Sequence, residues 1–227
     1  MERRNRTQQR QGKSVAGERF ELIGGHLALD FANTLGGLRG GITRELVATY
    51  ADLVAWGQQA SIITPDEAER LVRAAQLDPA AAMLVLERAH RLREAIYTLT
   101  MAQMRGDAAR SVDLAILNRE LAQALAHRRV TTGATGVAWT WDWRVEEVTG
   151  GESRATIVLD ALLWLVVVAA ADLLTIRDHL LLRQCASDAC SWLYLDTTRN
   201  HSRRWCDMKG CGNQAKVRRY RQRQVNR

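Results

Sequence analysis

Most of the chain carries apolar residues at helical spacing, and one stretch alternates with period two. Phe20 to Ile23 is a short apolar start that Gly24-Gly25 breaks, and His26 to Leu35 fits a strand or a short helix. Gly36, Gly37, Gly40 and Gly41 predict a flexible loop. Thr43 is placed to cap a helix with Leu46, Tyr50, Leu53, Val54 and Trp56 on one broad face. Thr64-Pro65-Asp66-Glu67 is a second helix start: Thr64 caps, Pro65 needs no N–H partner at the first helical position, and Glu67 closes a capping box. Asp78-Pro79 repeats the device ahead of a helix running to about Arg105, with Leu86, Ala89, Arg93, Ile96 and Leu99 or Thr100 at helical spacing and Gly106 at its end. Leu114, Leu117, Leu121 and Leu125 predict a further amphipathic helix.

Val137, Trp139, Trp141, Trp143 and Val145 then alternate with Ala138, Thr140, Asp142, Arg144 and Glu146, the signature of a half-buried strand. Thr149-Gly150-Gly151 turns the chain, and Arg154 to Val158 returns as a second strand. Tryptophans on one strand face are read as a packing surface rather than a ligand cage. Asp160 to Thr175 is a nearly all-apolar helix, expected at the centre of the core. Its most apolar run, Ala161 to Ala171, is too short for a bilayer, which needs about 20 residues. The N-terminus, rich in Arg and Gln, lacks the apolar centre of a secretory signal and is expected to be a disordered basic lead-in over residues 1–18. A cytoplasmic chain without membrane partners is the expectation.

With 227 residues, 47% of them apolar, the chain can bury one good core and carry an appendage. Net charge is +7, but ten Lys or Arg and one acid, Asp207, lie between Arg199 and Arg227, giving +9 there and −2 over the rest. Basicity therefore belongs to the C-terminal end.

That end also holds all four cysteines, within 27 residues: Cys185, Cys190, Cys206 and Cys211, spaced C-x4-C, fifteen residues, C-x4-C. Two close pairs and a short insert suit a tetrahedral Zn²⁺ ion, with Zn–S distances of about 2.3 Å. Two disulfides or four unrelated buried thiols are the alternatives, and the lack of a secretion signal argues for metal. Four thiolates close the coordination shell, so a single structural zinc is expected, with no position left to activate water. The insert, with Trp192 to Leu195 at its start, reads as a small hairpin, and Gly212-Asn213 opens a basic helix. Knuckle, hairpin, knuckle and helix together are treble-clef-like.

Arg199, Arg203 and Arg204 lie on or beside that hairpin, Lys209 in the second knuckle, and Lys216, Arg218, Arg219 and Arg221 on the terminal helix. Phosphate is the natural partner for such a density of cations, so nucleic acid is the expected partner. The alternative is a solvated tail that offsets a dianionic zinc site. Asn200, Asn213 and Gln214 are candidates for base edges, while Trp192, Tyr194, Trp205 and Tyr220 keep base stacking on RNA open.

Further upstream, Asp30, Asn33 and Thr34 stand at helical spacing among apolar neighbours, and Arg93 on the long helix could face the same interior. Together they would line a polar pocket for a small-molecule ligand; ordinary capping plus one buried ion pair is the alternative. No phosphate loop, nucleophile elbow, H-E-x-x-H or carboxylate cluster is present in the sequence, so a catalytic role is not expected.

Trp205-Cys206-Asp207-Met208-Lys209-Gly210-Cys211-Gly212-Asn213 resembles the CGNR-type zinc finger, and Gly24 to Thr34 resembles the start of the ABATE domain that precedes this finger in bacterial proteins grouped as stress-induced transcription regulators. The resemblance touches both ends and fits the order of the chain from about Phe20. It implies a double-stranded DNA-binding finger behind a ligand-sensing domain. One departure is Gln214, where the family pattern has Arg; a phosphate or capping role of that Arg is then lost or passes to Lys216. The expected architecture is α+β. A mostly helical N-terminal domain with a small antiparallel hairpin (19–182) precedes a four-cysteine finger (183–227). The expected function is DNA-binding transcription regulation, modulated by a small ligand. The alternative is a zinc-stapled module for protein or RNA interaction.

Overall fold

The computed structural model describes residues 19–133, 136–149, 152–175 and 181–225. The basic lead-in over 1–18 and the Gly150-Gly151 turn lie outside them. Seven helices and four two-stranded antiparallel hairpins follow in chain order among the described residues. α1 (Leu27–Ala32) is a short helix capped by the His26 side chain, which accepts from the Ala28 amide. β1 (Leu35–Gly37) and β2 (Thr43–Glu45) form a hairpin where a flexible loop is expected from the four glycines. Gly37 has φ of 85°, and a Cβ there would stand 2.3 Å from the Ile42 carbonyl oxygen, so only glycine makes the turn.

Thr43 is therefore a strand residue and not a helix cap. α2 (Tyr50–Gln59) is capped instead by Thr49, whose side chain accepts from the Asp52 amide while Asp52 reaches back to the Thr49 amide. A reciprocal cap satisfies two orphan donors. α3 (Pro65–Leu77) and α4 (Pro79–Arg105) begin where their Thr-Pro and Asp-Pro signals predict, and α4 ends at Gly106 in the left-handed conformation. α5 (Ser111–Ala126) buries Asp113, Leu117, Glu120 and Ala124. That face is rotated from the expected leucine stripe, and Leu114 and Leu125 are exposed. Glu120 explains the rotation, because Arg88 on α4 reaches it at 2.7 Å and so draws that side inward.

The alternating tryptophan stretch is two strands rather than one. β3 (Arg128–Gly133) pairs with β4 (Gly136–Trp141), and after Asp142-Trp143 β5 (Arg144–Thr149) pairs with β6 (Glu152–Ile157). The Asp142 amide still donates to the His127 carbonyl opposite it at 2.8 Å, the last bond of the β3–β4 pairing, and from Arg144 the chain pairs with β6 instead. Trp141 and Trp143 pack on the core as expected, while Trp139 is 64% exposed.

α6 (Ala161–Thr175) is the centre, packed against α1, α4 and α5. Leu162, Leu163, Trp164, Val166 and Val167 are almost fully buried, each contributing roughly 1.5–3 kcal/mol. A Cβ on Gly57 of α2 would lie 2.5 Å from Leu162 Cδ2, so the helices meet this closely only because Gly57 is bare. Among the described residues no helix is long and apolar enough to cross a membrane.

Candidate metal centre and basic surface

β7 (Leu182–Gln184) and β8 (Leu193–Leu195) form an antiparallel hairpin whose tip carries the first cysteine pair. The hairpin therefore straddles Cys185 and Cys190 rather than lying within the fifteen-residue insert. Leu182 and Leu193 bury it in the core of the N-terminal region, while Tyr194 is buried on the other side among the cysteines. The insert then turns at Asp196, whose carboxylate accepts from the Thr198 amide at 3.1 Å and from the Arg203 amide at 2.9 Å. The Asp-Thr-Thr sequence is the local signal for that turn, and sequence reasoning passed over it. Of the second pair, Cys206 lies just ahead of one π-helical turn, Met208–Gly212, and Cys211 lies on it. The Asp207 carboxylate caps the turn by accepting from the Gly210 amide, before α7 (Asn213–Val225).

The four sulfurs lie within 4.8 Å of one another. Cys190 and Cys206 are 3.7 Å apart, and Cys206 and Cys211 are 3.6 Å apart. Four sulfurs about 2.3 Å from one tetrahedral ion stand about 3.8 Å apart, so the donor set fits zinc. The thiols are free, not disulfides. Amides already point at them: those of Cys206 and Ser187 at Cys185, and that of Trp192 at Cys190. Their mutual electrostatics call for a cation. The Cys185 thiol is held far below its ordinary range by the Cys190 thiol that donates to it, then by Cys206. Cys190 and Cys206 are pushed up, first by that same sharing with Cys185. Thiols this close oppose one another's ionisation, and a bound dication would let all four ionise and close the module.

Residues 25–176, two thirds of the chain, match the family model described as "ABATE: Putative stress-induced transcription regulator". The chain belongs to the ABATE family. Residues 182–224 match the CGNR zinc finger model, so the four-cysteine cluster is a CGNR finger holding one structural zinc. No curated protein matches the chain.

The CGNR finger is joined to the ABATE region by backbone contacts. The Asn33 amide side chain pairs with the Leu193 backbone, donating to its carbonyl at 2.8 Å and accepting from its N–H at 2.9 Å. The Ser191 amide donates to the Gly37 carbonyl at 2.9 Å, and the Trp192 indole donates to the Leu35 carbonyl at 3.1 Å.

The expected ligand pocket takes a different form. Arg93 is 4% exposed and binds Glu45 through two contacts of 2.7 Å, with a weaker contact to Thr34 Oγ1 at 3.3 Å. Asn33 turns its amide to the Leu193 backbone, donating one bond and accepting one. Asp30 stands apart, accepting from the Gly24 amide at 2.8 Å, and burial pushes its carboxyl up to about 7 against that bond. Thr34 and Arg93 thus meet in a structural ion-pair network. A cleft of about 380 Å³ lies between α2, α3 and α4, and none of the four residues lines it.

The candidate cations divide as sharply. Arg203 faces inward: its guanidinium donates to the carbonyls of Trp205, Ile23 and Cys206 and lies 4.3 Å from the Tyr194 ring. Arg218 pairs with Asp188 of the first knuckle. Arg204 and Arg219 flank the Trp205 ring at 5.3 and 5.8 Å. Among the described residues, Arg199, Arg204, Lys209, Lys216, Arg219 and Arg221 are exposed and have no carboxylate partner. Gln214, at the position of the family Arg, is exposed on α7.

Proposed function

We propose that the chain regulates transcription by binding duplex DNA through its zinc-ordered C-terminal end. The observation that carries this reading is the set of exposed cations without a carboxylate partner beside a closed four-thiol centre. Such cations release condensed counterions when they meet phosphates, which gives affinity and a steep salt dependence. Four thiol donors leave no coordination position for water or substrate, which supports binding rather than turnover at this centre. In this reading the N-terminal region is the scaffold that seats the finger, because the groups expected to meet a ligand are bonded to the protein itself.

The test is duplex binding by the full zinc-loaded chain as salt is raised. Contact with five or six phosphates gives a log–log slope of roughly −5. Cys206→Ser should lose zinc and duplex affinity together. A slope near zero, or full binding by Cys206→Ser, would overturn the reading. Tighter binding of single-stranded RNA at equal salt would favour the RNA-interaction alternative.

A further inference from the structure

Three contacts fix the rotation of α7. Ala215 is half-buried, Arg218 pairs with Asp188, and Arg219 returns over Trp205 while its Nε donates to the Ala215 carbonyl at 3.4 Å. At about 100° per residue, Ala215, Arg218, Arg219 and Gln222 therefore form the inner side of the helix. The opposite side is then determined: Asn213, Val217, Tyr220 and Gln224, at i, i+4, i+7 and i+11. Val217 is 49% exposed and Tyr220 65% exposed. On one flank of this stripe stand Lys216 and Arg223; on the other stands Arg221.

Val217 and Tyr220 are neighbours on the outermost line of a helix that is otherwise almost wholly cationic and amide, so they form a short stripe of their own. An apolar and amide stripe between cationic margins matches the major groove, where base edges lie at the floor and phosphates along both walls. Thirteen residues make a rod about 20 Å long, and a helix of this kind enters a groove about 12 Å wide. The charge complementarity of both margins selects a polyanion over a protein partner.

Building on the duplex-binding reading, we infer that the outer face of α7 reads base edges in the major groove, with Val217 and Tyr220 on the groove floor and Lys216, Arg221 and Arg223 on its walls. Val217 suits a thymine methyl group, and Gln224 suits the paired donor and acceptor of adenine. Asn213 is less free, since its Nδ2 donates to the Lys209 carbonyl at 3.1 Å.

The experiment is selection of duplexes from a randomised pool by the full zinc-loaded chain, followed by affinity and salt titration on the selected and a scrambled duplex. Wild type should enrich a short consensus and prefer it by about tenfold or more. Val217→Ala/Tyr220→Ala should lose that preference while keeping zinc content, melting temperature and salt slope, because both residues are exposed. Lys216→Gln/Arg221→Gln/Arg223→Gln should weaken both duplexes alike and flatten the slope by about 3. Enrichment of no consensus by a chain that binds duplex normally overturns the inference and leaves the function reading standing. An unchanged preference in Val217→Ala/Tyr220→Ala does the same. Failure to bind any duplex overturns both.

Discussion

Arg93 and the arginines of α7 carry the same guanidinium to opposite ends. Arg93 is buried, bonded twice to Glu45 and wedged beside Thr34. Arg221 lies in open solvent with no carboxylate in reach among the described residues. A buried cation must be paired where it sits, since an unpaired one costs several kcal/mol, and once paired it has little left to offer a partner. An exposed, unpaired cation adds little to stability and keeps its charge for a polyanion. Arg203 shows that sequence position does not decide the matter: it lies in the finger, four residues from Arg199, yet donates only inward.

The contrast can be broken most severely at the metal. Cys206→Ser, or chelation of the wild type, should unfold the finger, because structural zinc supplies on the order of 10 kcal/mol or more of folding free energy in such modules. Loss of the finger's circular dichroism and of bound zinc measures it. Next comes Arg93→Ala, which removes a buried guanidinium bonded to Glu45. Because Glu45 is itself exposed and can be re-solvated, the cost in denaturant unfolding should be about 1–3 kcal/mol, with the salt slope of DNA binding unchanged. Asp30→Asn is smaller and depends on pH. The folded chain holds the Asp30 proton up to about 7, the unfolded chain releases it near 3.8, and so wild-type stability falls as pH rises between those values. Asparagine cannot ionise and keeps an acceptor for the Gly24 amide. The variant should therefore be the more stable above pH 7, and the gap should close on acidification; melting curves from pH 5 to 8 decide this. Smallest in stability is Lys216→Gln/Arg221→Gln, expected within about 0.5 kcal/mol of wild type while the salt slope flattens by about 2.

Signals confined to a few neighbouring residues were legible in the sequence. The Thr64-Pro65 and Asp78-Pro79 starts, the Gly106 stop, the apolar α6 and the metal spacing all act over one or two turns. Choices between competing local signals were not. Thr43 and Thr49 are equally good caps in isolation, and what separates them is the β1–β2 pairing together with Asp52. The leucine stripe of α5 loses to Glu120, whose partner Arg88 lies 32 residues away. β7 is too short to announce itself, and only β8 makes it a strand. At the candidate site the sequence identified cations but could not rank them, because burial of Arg203 and pairing of Arg218 are set by Ile23, Tyr194 and Asp188.

The Asn33–Leu193 pair spans 160 residues, and it has a bearing on synthesis. At about 5–20 residues per second, a ribosome needs roughly 10–30 s to travel from one partner to the other. Throughout that interval the amide of Asn33 and the carbonyls of Leu35 and Gly37 have no mate from the finger. The nascent N-terminal half therefore lacks these partners until Ser191, Trp192 and Leu193 have been made, and the second cysteine pair, which completes the metal site, follows them in translation order.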